Sequence, residues 1–284
     1  MWTGNRYQTI MVNEIAKPVA AAEEFKYLFS VCTFVTRHDE YNEMLGSFIK
    51  AGFTTDICQY LYIDNTETNT FGAYKGINRF LRETAGKYVI VCHQDILLNY
   101  DDADCLKKRI EEVEQADPNW AVLGNAGGVN LKYLSLYVVQ SEASMLYEAV
   151  FPLKTMTLDE NFLVIKNAAN LSLSNDLDGF HLYGTDICLV ADILGYNSYI
   201  IQFKLLHKSL GNPDRLFADL ETKLISKYNR ALRGRFVRTP FARFYVSGNK
   251  LKTWVYNTGI VLFLARKYYQ LFKTPEDYRL RPKK

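Results

Sequence analysis

Gly86-Lys87-Tyr88-Val89-Ile90-Val91-Cys92-His93-Gln94-Asp95-Ile96-Leu97-Leu98 decides how this chain folds. The first half is a short β-branched and aromatic run bounded by glycine, the pattern of a strand covered on both faces of a parallel sheet. The second half sets a carboxylate, Asp95, where that strand ends. Ligands of open α/β sheets sit in the crevice at the carboxyl ends of the strands, so Asp95 is a candidate for holding a metal ion against phosphates. A turn or cap is the plainer role for an aspartate at that position.

Upstream, Tyr27 to Val35 reads as a first strand, and Thr36-Arg37-His38-Asp39-Glu40 as the polar break after it. Met44, Leu45, Phe48 and Ile49 then recur at helical spacing until Gly52, a C-terminal cap. A second strand, Gln59 to Ile63, again ends in polar residues, Asp64-Asn65-Thr66. Tyr74, Ile77, Phe80 and Leu81 give the next helix its inward stripe. Such alternation predicts a parallel sheet with right-handed crossovers.

Downstream, Asp101 or Asp102 caps a helix whose inward face is Leu106, Ile110 and Val113. Trp120 to Leu123 is another strand. The cluster Gly124-Asn125-Ala126-Gly127-Gly128 lacks the spacing and lysine of a phosphate-binding loop and reads as a flexible turn. Ile187, Val190, Ala191 and Leu194 share one helix face, which puts Thr185 and Asp186 at a helix N-terminus, where the dipole favours an ionised carboxylate. The strand Tyr199 to Phe203 leads to Leu206-His207-Lys208-Ser209.

The order and spacing of Tyr62-Ile63-Asp64-Asn65-Thr66, Cys92-His93-Gln94-Asp95, Gly179 to Asp186 and His207-Lys208-Ser209 resemble the inverting nucleotide-sugar glycosyltransferases of the GT-A fold. The resemblance is to the broad family-2 group and its bacterial relatives, and it covers roughly Phe29 to Ser209. It implies an α/β, Rossmann-like, mostly parallel sheet flanked by helices. It also implies that Asp95 and His207 bind a divalent metal, Mn2+ or Mg2+, and that Val35, Thr36, Asp64, Asn65, His93 and Gln94 line the nucleotide pocket. His93 stands where the family's first acid is usual. Asp186 would be the general base, and His181 and Tyr183 would contact the acceptor, a glycan or lipid-linked glycan.

With 284 residues and 48% hydrophobic content the chain is long and apolar enough for a substantial core, which excludes general disorder. Five cysteines without a C-x-x-C pair read as free thiols of a reducing compartment. Met1 to Glu24 lacks the pattern of a secretory signal, so a cytoplasmic location is expected. Charge is strongly segregated. Between Thr222 and Pro275 there are twelve lysines and arginines and no aspartate or glutamate.

The expected organisation is therefore an N-terminal extension over 1–24, a GT-A-like domain over 25–211, and a basic, partly helical region over 212–284. Trp254 to Ala265, apolar and flanked by cations, is too short to span a bilayer, which needs roughly 20 residues. It reads either as a helix packed on the domain or as an interfacial segment on the cytoplasmic face of an anionic membrane. Nucleic acid is not an expected partner, since no recognition motif accompanies the charges. A catalytically silent nucleotide- or glycan-binding module and a membrane-surface scaffold are the competing functional expectations.

Overall fold

The computed structural model describes residues 19, 24–140, 143–146, 150–209 and 215–273. The expected extension over 1–24 thus lies almost wholly outside the described residues. The chain forms two compact units, Met1–Leu220 and Glu221–Lys284. In the first, the order is β1 (Tyr27–Val35), α1 (His38–Lys50), β2 (Cys58–Asp64), α2 (Ala73–Glu83), β3 (Gly86–Cys92), β4 (Ile96–Leu97), α3 (Ala103–Ala116), β5 (Trp120–Gly124) and β6 (Ala126–Gly128). There follow β7 (Leu134–Gln140), β8 (Ala143–Leu146), β9 (Leu153–Lys154), β10 (Thr157–Leu158), β11 (Phe162–Lys166), α4 (Tyr183–Ile193), β12 (Asn197–Ile200) and β13 (Leu205–His207). Helix α5 (Arg215–Ala231) leads into the second unit, which contains β14 (Arg235–Arg238), β15 (Arg243–Val246), α6 (Lys250–Tyr256) and α7 (Gly259–Phe272).

The main sheet has the strand order β2-β1-β3-β11-β5-β12-β9. Strands β2, β1 and β3 pair in parallel, as do β5 and β12, while β11 and β9 run antiparallel to their neighbours. The sheet is therefore mixed α/β and mostly parallel, with helices flanking it. The hydrophobic run Phe162 to Ile165 does not announce its direction, because a strand buried on both faces reads alike either way.

Period-two alternation explains how the sheet is covered. Phe29, Val31 and Val35 of β1 join Tyr41, Met44 and Phe48 of α1 and Leu106, Ile110 and Val113 of α3 in one core. The intervening Phe34 meets Phe80 of α2 edge-on at 5.3 Å. Asp102 caps α3 by accepting from the Cys105 amide at 2.8 Å. At the amino ends of the central strands the Ser30 hydroxyl accepts from Gly86 N (2.9 Å) and donates to Gln59 Oε1 (2.8 Å). Gln59 Oε1 also accepts from Ala85 N at 2.8 Å, so three strands are pinned in register by one small polar network.

A second sheet, ordered β10-β6-β7-β13-β4, lies beside the first, with β8 paired to β7. It corrects the reading of Gly124 to Gly128 as a flexible turn: Gly124 ends β5 and Ala126–Gly128 is β6. Glycine is required there because a Cβ on Gly127 would collide with the backbone carbonyl of Thr157, the residue before its partner Leu158 in β10.

Gly86 is held to glycine by the same kind of crowding, against the backbone of Phe29 and Ser30. Gly86→Ala is expected to destabilise the first unit by about 1–3 kcal/mol, since backbone cannot be displaced as a side chain can. Chemical denaturation of the two proteins measures it; equal midpoints would contradict the crowding argument.

Candidate functional site

The carboxyl ends of β1, β2 and β3 finish at one level, because Val35 is the register partner of Asp64 and Thr33 that of Cys92. Beyond them the Gln94 side chain bridges two strand ends. Its Oε1 accepts from Thr36 N (2.9 Å) and Arg37 N (3.1 Å), and its Nε2 donates to Thr36 Oγ1 at 2.7 Å. Asp64 is exposed and faces His38 Nε2 at 3.6 Å. Hydrogen bonds from the Thr66 hydroxyl first, and then from its amide, hold the Asp64 carboxyl below its ordinary range.

Val35 and Asn65 sit differently. The Val35 side chain is fully buried and its carbonyl accepts from Asn65 N at 2.7 Å. The buried Asn65 side chain bonds Phe71 O, Thr70 N and Phe71 N, and so shapes the 65–71 loop.

Asp95 follows β3 and directly precedes β4. Pairing of β4 with β13 sets Ile96 opposite His207, and Lys208 N donates to the Asp95 carbonyl at 3.1 Å. His207 Nε2 thereby comes to 3.4 Å from Asp95 Oδ1, and His93 Nδ1 lies 3.3 Å from that nitrogen and 4.0 Å from that oxygen. These three atoms belong to a group whose ligand atoms all lie within 4.8 Å of one another. Edges of this length fit around an ion bonded at about 2.1 Å to nitrogen and oxygen. The sequence reading placed His93 with the nucleotide; here it completes the cluster of Asp95 and His207.

The protonation of this cluster follows from its neighbours. Tyr183 Oη lies 3.1 Å from the Glu160 carbonyl and 3.1 Å from His93 Nε2; the carbonyl can only accept, and with the phenol proton directed to it the hydroxyl accepts from His93. His93 is therefore the Nε2–H tautomer, with a bare Nδ1 lone pair facing Asp95 and His207. Burial first, and then the charges of Glu160 and Asp159, hold the Tyr183 phenol well above its ordinary value, so it keeps that proton. Burial and then the His207 charge lower the His93 pKa, against a smaller opposing effect of Asp95, which favours the neutral imidazole that ligation needs. For Asp95, burial alone would raise the pKa. Hydrogen bonds from His207 and Ser209, and then the histidine charges, outweigh it and hold the carboxylate well below its ordinary range. His93 Nδ1, the ionised Asp95 and, once a cation displaces the proton that it donates to Asp95, His207 Nε2 form a donor set that suits a divalent cation.

Tyr183, expected to touch an acceptor, is 3% exposed, with its hydroxyl 3.1 Å from His93 Nε2. Asp186, the expected base, is 0% exposed and accepts from Ser174 N (2.8 Å) and Ser174 Oγ (2.7 Å). In this arrangement it ties a loop to the first turn of α4. His181 is half-buried; its carbonyl accepts from Tyr74 Oη at 3.0 Å and its ring meets Phe217 at 5.7 Å.

Glu160 was not singled out by the sequence reading. Its carboxylate accepts from Gly184 N at the start of α4 (3.3 Å), and burial, then the Asp159 charge, push its pKa up to about 8. The available signal was the adjacent acidic pair Asp159-Glu160 just before a strand.

Comparison with known proteins gives a relative with 33% identity over 232 residues, 80% of this chain and 93% of that protein: "ATP synthase subunits region ORF 6" of Fuscovulum blasticum. The chain belongs to the ORF 6 family. That name states no activity. No family model matches the ORF 6-like chain. Among solved structures, TarS 1–349 of S. aureus covers 88% of this chain and 76% of its own at 14% identity and a TM-score of 0.45. A197 from STIV covers 64% and 95% at 10% identity and a TM-score of 0.37. Likenesses of this degree carry no functional assignment, and the chemistry rests on the residues themselves.

Two outcomes test this geometry. Tyr183→Phe removes the acceptor that fixes the His93 tautomer and is expected to weaken Mn2+ affinity about 10- to 100-fold with the fold retained, read by calorimetry. Glu160 has a folded pKa of about 8 against an ordinary 4.5, so its contribution to stability is complete below about pH 4.5 and is lost as pH rises towards 8. The difference in melting temperature between wild type and Glu160→Gln, in chelator-treated protein, should shift against the wild type over that window; a pH-independent difference would refute it.

Proposed function

We propose that this protein is a metal-assisted, inverting glycosyltransferase that moves a sugar from a nucleoside-diphosphate donor to a hydroxyl acceptor. The observation that supports this best is the His93–Asp95–His207 cluster at the carboxyl end of β3, one strand from Thr36 and two from Asp64. In this reading Thr36, Asp64 and Gln94 contact the base and ribose, and the cluster holds a divalent cation. A divalent cation held by His93, Asp95 and His207 would supply the positive charge needed to neutralise a leaving diphosphate. Two imidazoles favour Mn2+ over Mg2+, which prefers an all-oxygen shell.

The acceptor hydroxyl loses its proton to a carboxylate as it attacks from the opposite face. Asp186 takes that role only where Ser174 releases it. Glu160, half-buried beside Tyr183 and with its pKa pushed up to about 8, is the second candidate, able to accept a proton once it has ionised. If Glu160 is the base, kcat rises with pH through about 8 and Glu160→Gln abolishes that limb. If Asp186 is the base, Asp186→Asn abolishes turnover and Glu160→Gln leaves it largely intact. His181 remains the proposed acceptor contact. A glycan or lipid-linked glycan as acceptor, and an anionic membrane surface at the cytoplasmic face as partner of the basic region, belong to the same proposal.

The enclosure of Asp186 by Ser174 favours one second reading, a silent nucleotide-binding module. Titration with a panel of nucleoside diphosphates, with and without Mn2+, tests both. Transferase and module alike require Mn2+-dependent binding of a nucleotide, weakened about a hundredfold by Asp95→Ala. Hydrolysis or transfer of the matching nucleotide sugar then separates them, and absence of all nucleotide binding refutes both.

A further inference from the structure

The second unit contains a cavity of about 400 Å3 between the β14–β15 hairpin and α7. Its walls include Phe236, Phe244 and Leu262, and three arginines, Arg238, Arg243 and Arg266, also line it. Arg238 and Arg243 are direct partners in the antiparallel ladder, a placement in which like charges repel. Desolvation, and then the charges of Arg238 and Arg266, lower the Arg243 pKa. Among the described residues none of the three has an ion-pair partner. The sequence from 222 to 275 supplies no carboxylate to provide one.

The hairpin tip between the paired arginines is Thr239-Pro240-Phe241-Ala242, closed by Thr239 N donating to Ala242 O at 2.8 Å, and Phe241 is 99% exposed. No residue of α6 or α7 is buried, although α7 reads Gly-Ile-Val-Leu-Phe-Leu-Ala-Arg-Lys-Tyr-Tyr-Gln-Leu-Phe. Trp254 (72%) and Ile260 (75%) are among the exposed side chains. Apolar walls set beside three arginines, with Phe241 projecting from the hairpin tip, match a surface that offers hydrocarbon beneath a layer of anions. A protein surface complementary to the arginines alone would leave the aromatic and aliphatic groups in water.

We propose that this cavity and hairpin bind an anionic phospholipid bilayer, with lipid phosphates between Arg238, Arg243 and Arg266 and Phe241 inserted among the acyl chains. No helix among the described residues is long and apolar enough to cross a membrane, so the contact is interfacial. It is independent of the metal cluster, and nucleotide titration of the variants below should match wild type.

Flotation of the full chain with vesicles of phosphatidylcholine, with or without about one third phosphatidylglycerol, provides the test. Binding is expected to the anionic vesicles and not to phosphatidylcholine alone. Replacing both Arg238 and Arg243 by alanine should weaken it about thirtyfold, and replacing both by lysine should retain most of it. Phe241→Ser should remove the part that survives high salt. Matching thermal melts keep loss of folding apart from loss of binding. Equal binding to both vesicle types, or no effect of the alanine pair, overturns the proposal. So does displacement from the vesicles by inorganic phosphate at the concentration that saturates the free chain, which would make a soluble phosphate the ligand. Self-association that the same variants dissolve, without any flotation, assigns the surface to a second copy and overturns it too.

Discussion

Two residues of ladder, Ile96 opposite His207 and Leu97 opposite Leu206, hold the candidate chemistry together. Asp95 is fixed by the end of β3 and His207 by the end of β13, more than a hundred positions later. Without the second sheet nothing would bring the imidazole to the carboxylate. That sheet rests on β6 and on Gly127, whose lack of a side chain lets the Thr157 backbone pass. A requirement for close backbone approach at Gly127 is thus connected, through β6, β7 and β13, to the position of a ligand atom.

The cluster is ordered by supports as much as by its members. Tyr183 is buried, keeps its proton and has a carbonyl to donate it to, so it determines which nitrogen of His93 is bare. Its place at the first position of α4 makes the helix start part of the site, and Glu160 reaches the same helix start with its carboxylate. Opposed effects decide the protonation. Burial disfavours charge on Asp95, yet neighbouring histidines and Ser209 outweigh it, whereas burial, joined by the charge of Asp159, moves Glu160 the other way. Carboxyl groups whose pKa values are moved in opposite directions can divide the work of holding a cation and moving a proton.

The second unit follows a different logic. It has little to bury, and its order comes from local devices. Asn257 interrupts the apolar run between α6 and α7, and its side chain exchanges two hydrogen bonds with the backbone of Tyr245, Oδ1 accepting at 2.8 Å and Nδ2 donating at 2.9 Å. Phe236, Tyr245 and Tyr256 pack at tilted and edge-on angles into a small cluster around that junction. Such a unit keeps its shape while leaving cations and apolar side chains outward, the opposite of how the first unit treats the same residue types.

Much of the first unit was legible in the sequence because strands and helices there obey simple periods. Phe29, Val31 and Val35, then Met44 and Phe48, then Leu106, Ile110 and Val113, announce by spacing the core they share. The strand-end positions of Asp64 and Asp95 follow from the same reading, and so does the segregation of positive charge after Thr222. The direction of β11 was not legible, since a strand covered on both faces has one pattern for either orientation. Nor was the inclusion of His93 in the cluster, the removal of Tyr183 and Asp186 from the exposed surface, or the raised pKa of Glu160. Each depends on distances between residues far apart in the chain, and electrostatic and hydrogen-bond energies fall off over a few ångströms that only the folded arrangement sets. Spacing determined which residues stand at the ends of strands; tertiary contact decided which of them face one another.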